Sequence, residues 1–147
     1  MYRIIKRFFD ILIAVIALPI FGALFIVFAP IIHFSDRGPV FYNAQRIGKN
    51  GKLFKMYKFR TMKTNSPDIR LADGSTYNGA NDPRVTRIGK FLRTTSIDEA
   101  PQVINILNGT MSLIGPRPDP PDWLERYPDD VKVFLTVHGQ PTKTASA

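Results

Sequence analysis

The chain has 147 residues and a formal net charge of +8, from 20 Lys and Arg against 12 Asp and Glu. That is enough for one modest domain with its attachments, and it implies an anionic partner: nucleic acid, an acidic membrane surface or a phosphorylated substrate. Cysteine is absent, which excludes a disulfide framework, a thiolate zinc site and a cysteine nucleophile.

From Ile11 to Ile32 the chain reads ILIAVIALPIFGALFIVFAPII, 22 residues without a charge. About 20 apolar residues span a bilayer as a helix, so a straight transmembrane pass is the simplest reading. Two features favour a bent one. Pro19 lies inside the run with Gly22 just after it, and an interior proline removes a hydrogen bond and kinks a helix. Basic residues also flank both ends, Arg3, Lys6 and Arg7 before and Arg37, Arg46 and Lys49 after, so the positive-inside bias draws both ends to the cytoplasm. A re-entrant or interfacial helix over residues 1–36 satisfies both. A secretory signal peptide shares the basic start, but its apolar core is shorter and ends at a small-residue cleavage site, which is not evident here.

GPVFYNAQRIGKNGKLFKMYKFRTM follows, with β-formers on either side of Asn50-Gly51; that dipeptide favours the type I′ turn of a two-strand hairpin. The next stretch, KTNSPDIRLADGSTYNGANDPR, is polar and aperiodic and reads as a long exposed loop. In RVTRIGKFLR, Arg84 to Arg93, helical spacing places Val85, Ile88, Phe91 and Leu92 on one side and Arg84, Arg87, Lys90 and Arg93 on the other. Such a cationic amphipathic helix either packs on the domain with a solvated charged face, rests on anionic headgroups, or lines a phosphate site.

TTSIDEAPQVINILNG, Thr94 to Gly109, sets Asp98 and Glu99 at the start of a helix. Ser96 and Glu99 match a capping box, but that register puts Pro101 inside the helix; with Asp98 as N-cap, Pro101 falls in the first turn, where no bond is lost. The helix then runs through Val103, Ile106 and Leu107 at core-facing spacing and stops at Gly109. SLIGPRP, Ser112 to Pro118, holds Arg117 between two prolines, a stiff mount for bidentate phosphate recognition. An acidic cap at a helix start is ordinary, but carboxylates among cations beside a phosphate can do two kinds of work: bind Mg²⁺ that bridges phosphates, or attack phosphorus. In PPDWLERYPDDVKVFLTV, Trp123, Leu124, Tyr127, Val131, Phe134 and Leu135 recur at near-helical spacing and read as packing in two short helices. No internal repeat or low-complexity tract is present.

YKFRTM, the block DPRVTRIGKFLRTTSIDEAPQVINILNGTMSLIGPRP and Phe9-Asp10 with its apolar run together resemble the bacterial sugar transferase family, the monotopic phosphoglycosyl transferases. The resemblance runs nearly continuously to Pro118. It implies an α+β fold in which an N-terminal re-entrant membrane helix (1–36) precedes a small, mostly helical cytosolic domain with a β-hairpin (37–147), here without the family's C-terminal segment. It further implies transfer of a sugar 1-phosphate from a UDP-sugar to polyprenyl phosphate, releasing UMP, at the cytoplasmic face of a bacterial inner membrane, with Mg²⁺ as cofactor. Carried over by motif, Asp98 is the nucleophile and a metal ligand and Glu99 completes the catalytic dyad. Arg93, Arg117, Arg60 and Lys58 are the implied phosphate contacts. Where the family carries PGxT this chain reads HGQPT, His138 to Thr142; His138 reads as incidental. The competing expectations are a catalytically inactive, membrane-attached scaffold of the same fold, and a nucleotide-sugar pyrophosphatase that hands the intermediate to water. Nucleic acid is not an expected partner, because the aromatic residues cluster near the membrane segment and hairpin instead of along the basic face.

Overall fold

The structure is a computed structural model that describes residues 2–48, 51–73, 77, 79, 81–115 and 117–123. As expected it combines helices with a hairpin: α1 (Tyr2–Asp36), β1 (Phe41–Ile47), β2 (Leu53–Phe59), α2 (Arg87–Thr94), a 3₁₀ turn (Ile97–Glu99), α3 (Gln102–Leu107) and a second 3₁₀ turn (Pro121–Trp123). Among the described residues one helix is long and apolar enough to cross a membrane, Ile4–Asp36, whose most apolar stretch has a mean hydropathy of 3.0 and is 6% buried. α1 is continuous through Pro19 and Pro30.

The contacts divide the chain into two compact units: Met1–Leu18, Asn43–Tyr57 and Gln102–Ala147 form the first, Pro19–Tyr42 and Lys58–Pro101 the second. In the first, Asn105 is fully buried. Its amide donates to the Lys55 carbonyl at 2.7 Å and to Thr110 Oγ1 at 3.0 Å, and its carbonyl accepts from the Tyr57 N–H at 2.9 Å. One side chain thereby ties α3 to β2 with no polar atom left over. Arg7 of α1 donates to the carbonyls of Ile106 and Leu107, capping the negative end of α3 with a cation. Gly109 takes the expected left-handed conformation beyond that helix, φ 82°.

The second unit is built on a core of Ile32, Phe59 and Leu92. Aromatic rings extend it: Phe41 and Phe59 on the paired strands stack at 5.7 Å and 8°, and Phe25 of α1 stacks on Phe41 at 5.6 Å and 13°. Offset stacks of this kind add to the area they bury. Arg60, at the end of β2, donates to Asp36, to Thr64 Oγ1 and to the carbonyls of Ile32 and Pro39, which fixes the last turn of α1 against the strands.

Two expected helices differ from the sequence reading. The amphipathic helix starts at Arg87 instead of Arg84, because Thr86 caps it by accepting from the Gly89 N–H, and Val85 pairs with Met62 in an isolated β-bridge. Arg84 is not on a solvated face. It is buried and forks onto Asp82, with further bonds to the carbonyls of Pro67 and Tyr77, so it pins the polar loop. Neither register foreseen around Asp98 forms. Ser96 lies at φ 59° with no capping bond, Asp98 sits inside a 3₁₀ turn, and α3 begins only after the buried Pro101. Pro101 thus divides one expected helix into two shorter pieces. Of the hairpin turn, Gly51 has the positive φ of 69° such a turn needs, while Asn50 lies outside the described residues, as do Leu124 to Leu135 and His138.

Gly89 marks the closest approach in the second unit: a Cβ built there would lie 1.9 Å from the Thr61 carbonyl oxygen. Gly to Ala inside a helix ordinarily gains about 1 kcal/mol. Here Gly89→Ala is expected to lose about 1–3 kcal/mol through overpacking, read as a lower midpoint in thermal unfolding; an unchanged or raised midpoint would show that this approach is not tight.

Candidate active site

The four residues that close β2 and leave it, Lys58 to Thr61, each go to a different place. Phe59 enters the core and Arg60 holds α1. Lys58 reaches the acidic pair, its Nζ 2.7 Å from Glu99 Oε1 and 3.9 Å from Asp98 Oδ2. Thr61 receives α2: its carbonyl accepts from the Thr86 N–H at 3.0 Å, and its hydroxyl accepts from Arg93 Nε at 2.9 Å. Opposite this strand end, α2 stops at Thr94, Ser96 reverses the chain in the left-handed region, and the 3₁₀ turn drops Ile97 onto the core. The next residue, Asp98, is thereby buried, 9% exposed, while Glu99 stays more open.

Burial pushes the Asp98 carboxyl above its ordinary value; the Lys58 ammonium pulls it back down, the Glu99 charge raises it and Arg93 lowers it. The dominant cause is loss of water around the ionised form. The result is a carboxylate that is poorly solvated yet kept near two cations, the setting in which an oxygen nucleophile is least shielded.

Of the residues singled out in the sequence, Lys58, Arg60, Arg93, Asp98 and Glu99 belong to the second unit, and Arg117 belongs to the first, where it is exposed. Lys58 and Arg93 flank the dyad. Arg60 is 7% exposed and makes five donor bonds to protein oxygens, the whole capacity of a guanidinium, so a phosphate could reach it only by breaking the clamp on α1. Its geometry is that of a structural arginine. The loop that carries Arg117 is fastened at both ends: Asp10, buried in α1, accepts from Ser112 Oγ at 2.8 Å and the Leu113 N–H at 3.1 Å, and beyond it the Ile47 N–H donates to the Asp119 carbonyl at 2.9 Å.

Sequence reasoning passed over Thr61, which orients Arg93, and Asp36, which receives Arg60. Thr61 stood inside YKFRTM, and Asp36 is the first acid after the apolar run; both were visible only as composition.

No group of three or more His, Asp or Glu that could hold a metal by themselves occurs among the described residues. Asp98 and Glu99 supply hard carboxylate oxygens, and Mg²⁺ is commonly held by one or two carboxylates plus the phosphates of a substrate. The donor set therefore fits a magnesium ion that enters with a diphosphate.

Comparison with known proteins shows the family of the chain. A family model described as bacterial sugar transferase matches residues 1–145. The undecaprenyl-phosphate galactose phosphotransferase of Salmonella typhimurium is 43% identical over 144 residues, covering 90% of this chain and 30% of the relative. A Bacillus subtilis sequence is 44% identical over 133 residues, covering 90% of this chain and 72% of its own length. The exopolysaccharide production protein ExoY of Rhizobium meliloti is 45% identical over 140 residues, 88% of this chain and 62% of the relative. The chain thus spans about a third of the first of these and under two thirds of the last.

Asp98 gives a test of the electrostatics that needs no substrate. A carboxyl raised above its ordinary 3.8 favours the fold in its protonated form, so stability present below that pH is lost as pH rises through the native value. Asp98→Asn removes that loss, and Lys58 keeps Glu99. The variant is expected to melt above the parent at neutral pH, with the gap closing as pH falls through the raised native value towards 3.8. A variant that melts below the parent at neutral pH would show that pairing with Lys58 outweighs burial.

Proposed function

Since the chain belongs to the bacterial sugar transferase family, we propose that it transfers a sugar 1-phosphate from a UDP-sugar to polyprenyl phosphate at the cytoplasmic face of a bacterial membrane, the first membrane step of glycan assembly. The observation that carries this reading is the buried Asp98 carboxylate beside Lys58, Glu99 and Arg93. The name of the Salmonella relative, an undecaprenyl-phosphate galactose phosphotransferase, supports the acceptor class.

In this reading the reaction is a two-step displacement. An Asp98 oxygen attacks the β-phosphorus of the UDP-sugar, the bond from that phosphorus to the oxygen bridging the two phosphates breaks, and UMP leaves with the bonding pair. The phosphosugar stays on Asp98 as an acyl phosphate. A phosphate oxygen of the polyprenyl phosphate then attacks the same phosphorus, the bond to Asp98 breaks, and the carboxylate is restored with the sugar diphospholipid formed. Lys58 and Arg93 offset the charge that gathers on the phosphoryl oxygens and hold the donor in line. Desolvation of Asp98 helps the first step, because the attacking carboxylate is weakly hydrated, and the Lys58 and Arg93 charges stabilise the carboxylate that leaves in the second. Bound Mg²⁺, held by the dyad and the diphosphate, would neutralise the leaving phosphate.

Both substrates must meet where a lipid phosphate lies, so α1 sets the level of the site. At about 1.5 Å per residue its 35 residues run roughly 52 Å, well beyond the ~30 Å of a hydrocarbon core. With cations at both ends, a helix that enters and leaves the same leaflet satisfies this length and charge without carrying either basic flank across.

The test is UMP release by the full chain in neutral detergent with Mg²⁺, a panel of UDP-sugars, and polyprenyl phosphate present or absent. Lipid-dependent UMP is expected, together with a phosphosugar mass adduct on the parent when the lipid is withheld. Asp98→Asn should show no adduct and lose at least about 10³-fold in rate. Lys58→Ala, which removes the bond to Glu99 Oε1, should lose about 10²-fold in kcat. A folded chain that releases no UMP with any donor would favour the inactive scaffold, and lipid-independent UMP would favour a hydrolase.

A further inference from the structure

Away from the dyad, the second unit contains an open groove of about 860 Å³ between the last turns of α1 and the start of α2. Ile31, Phe34, Val85 and Ile88 give it apolar walls, and Lys63 and Arg87 stand at its rim. Asp36 also lines it, but that carboxylate is taken by both terminal nitrogens of Arg60 and by Thr64. Among the described residues, the ion pairs of this unit join Lys58 to Glu99 and Asp98, Arg60 to Asp36, Arg70 to Asp68 and Arg84 to Asp82; Lys63 and Arg87 are exposed and in none of them. The groove is therefore lined by apolar side chains together with two cations outside those ion pairs.

That polarity is the complement of an anionic amphiphile: a chain along the walls and a single phosphate between a lysine and an arginine. Position narrows the choice. The groove lies where the apolar run of α1 ends and the polar chain begins, the level of lipid headgroups in the membrane reading given above, on which this inference rests. Polyprenyl phosphate that reacts at Asp98 does not fit. Arg87 is the first residue of α2, and Arg93, the cation of that helix whose charge acts on Asp98, lies in its last turn, a separation of roughly 9 Å along the axis. A reacting phosphate must come within about 3–3.5 Å of its target.

We propose that this groove is a binding site for an anionic phospholipid of the bilayer, with its phosphodiester held by Lys63 and Arg87 and one acyl chain packed on Ile31, Phe34, Val85 and Ile88. The lipid is a resident ligand and takes no part in the transfer. It fastens the end of α1 to the leaflet whose headgroups face the dyad.

The experiment titrates the full chain, in neutral detergent, with phosphatidylglycerol or phosphatidylcholine, and follows bound lipid by native mass spectrometry and stability by melting. Lys63→Gln with Arg87→Gln is compared with a control of equal charge loss, Lys52→Gln with Lys55→Gln, both exposed on β2 or its approach. Phosphatidylglycerol is expected to bind the parent at least tenfold more tightly than phosphatidylcholine, and to raise its melting temperature. Removing the groove cations should weaken it by about fivefold each, roughly 25-fold together, with the control within about twofold of the parent. Equal binding of the two lipids, or equal loss in the control pair, would overturn the site in favour of diffuse charge attraction. Displacement of phosphatidylglycerol by equimolar polyprenyl phosphate, with a raised acceptor KM in the groove variant, would overturn it in favour of an acceptor site. Because the readout is binding, an inactive chain that still takes phosphatidylglycerol through Lys63 and Arg87 would refute the transferase reading and leave this one standing.

Discussion

A single guanidinium, buried where an apolar helix turns into a polar domain, sets the geometry of the second unit. Arg60 forks onto Asp36 and also holds Thr64 and the carbonyls of Ile32 and Pro39. Those partners come from the last turn of α1, the approach to β1 and the chain after β2, so one side chain fixes three segments at once. Truncating one partner of a buried pair leaves a charge uncompensated, at a cost of about 3–5 kcal/mol. The neighbours of Arg60 in β2 inherit their positions from it. Phe59 stacks in the aromatic layer, Lys58 is delivered to the dyad, and Thr61 becomes the seat of α2.

The Asp98 carboxyl is held in tension with its surroundings. Burying a carboxylate opposes its ionisation, and the 3₁₀ turn buries Asp98 all the same because Ile97 before it and Pro101 after it are packed inward. Lys58 and Arg93 keep the charged form within reach. Arg84 and Asp82 show the contrasting case: there a buried acid meets its partner face to face, and the guanidinium holds the Asp82 carboxyl down to about 2. One acid is poised and the other is quenched, and the difference lies in how many donors each is given. The quenched pair does structural work, fixing the loop through the carbonyls of Pro67 and Tyr77.

The apolar side chains that remain exposed follow a physical rule of their own. Most of α1 shows large hydrophobic residues to its surroundings, Ile4, Ile16 and Ile26 among them. In α2, Arg87 and Lys90 are exposed beside a half-exposed Phe91 that leans on Phe28. In the membrane placement proposed above, lipid covers that surface, and the cations beside it would meet anionic headgroups.

How much of this was legible depended on the range of the forces involved. The sequence determined what local chemistry dictates: a long apolar helix, since 22 residues carry no charge; a hairpin around a glycine with positive φ; a helix stop at Gly109; and an acidic pair next to cations. Its motifs also carried the family. What only the tertiary structure decided was which of many charged residues face each other. Lys58 near the end of β2 and Arg60 just beyond it are two residues apart and look alike in the sequence, yet one is spared for Glu99 and the other is used up on Asp36. Arg84 belonged by periodicity to a cationic helix face, and Asp82, two residues away, removed it. The helix at Asp98 was expected to be continuous, and the packing of Pro101 divided it. Charge pairing and burial act through space between residues dozens of positions apart, at ranges where periodicity and spacing carry no signal, so those partners were fixed by the fold.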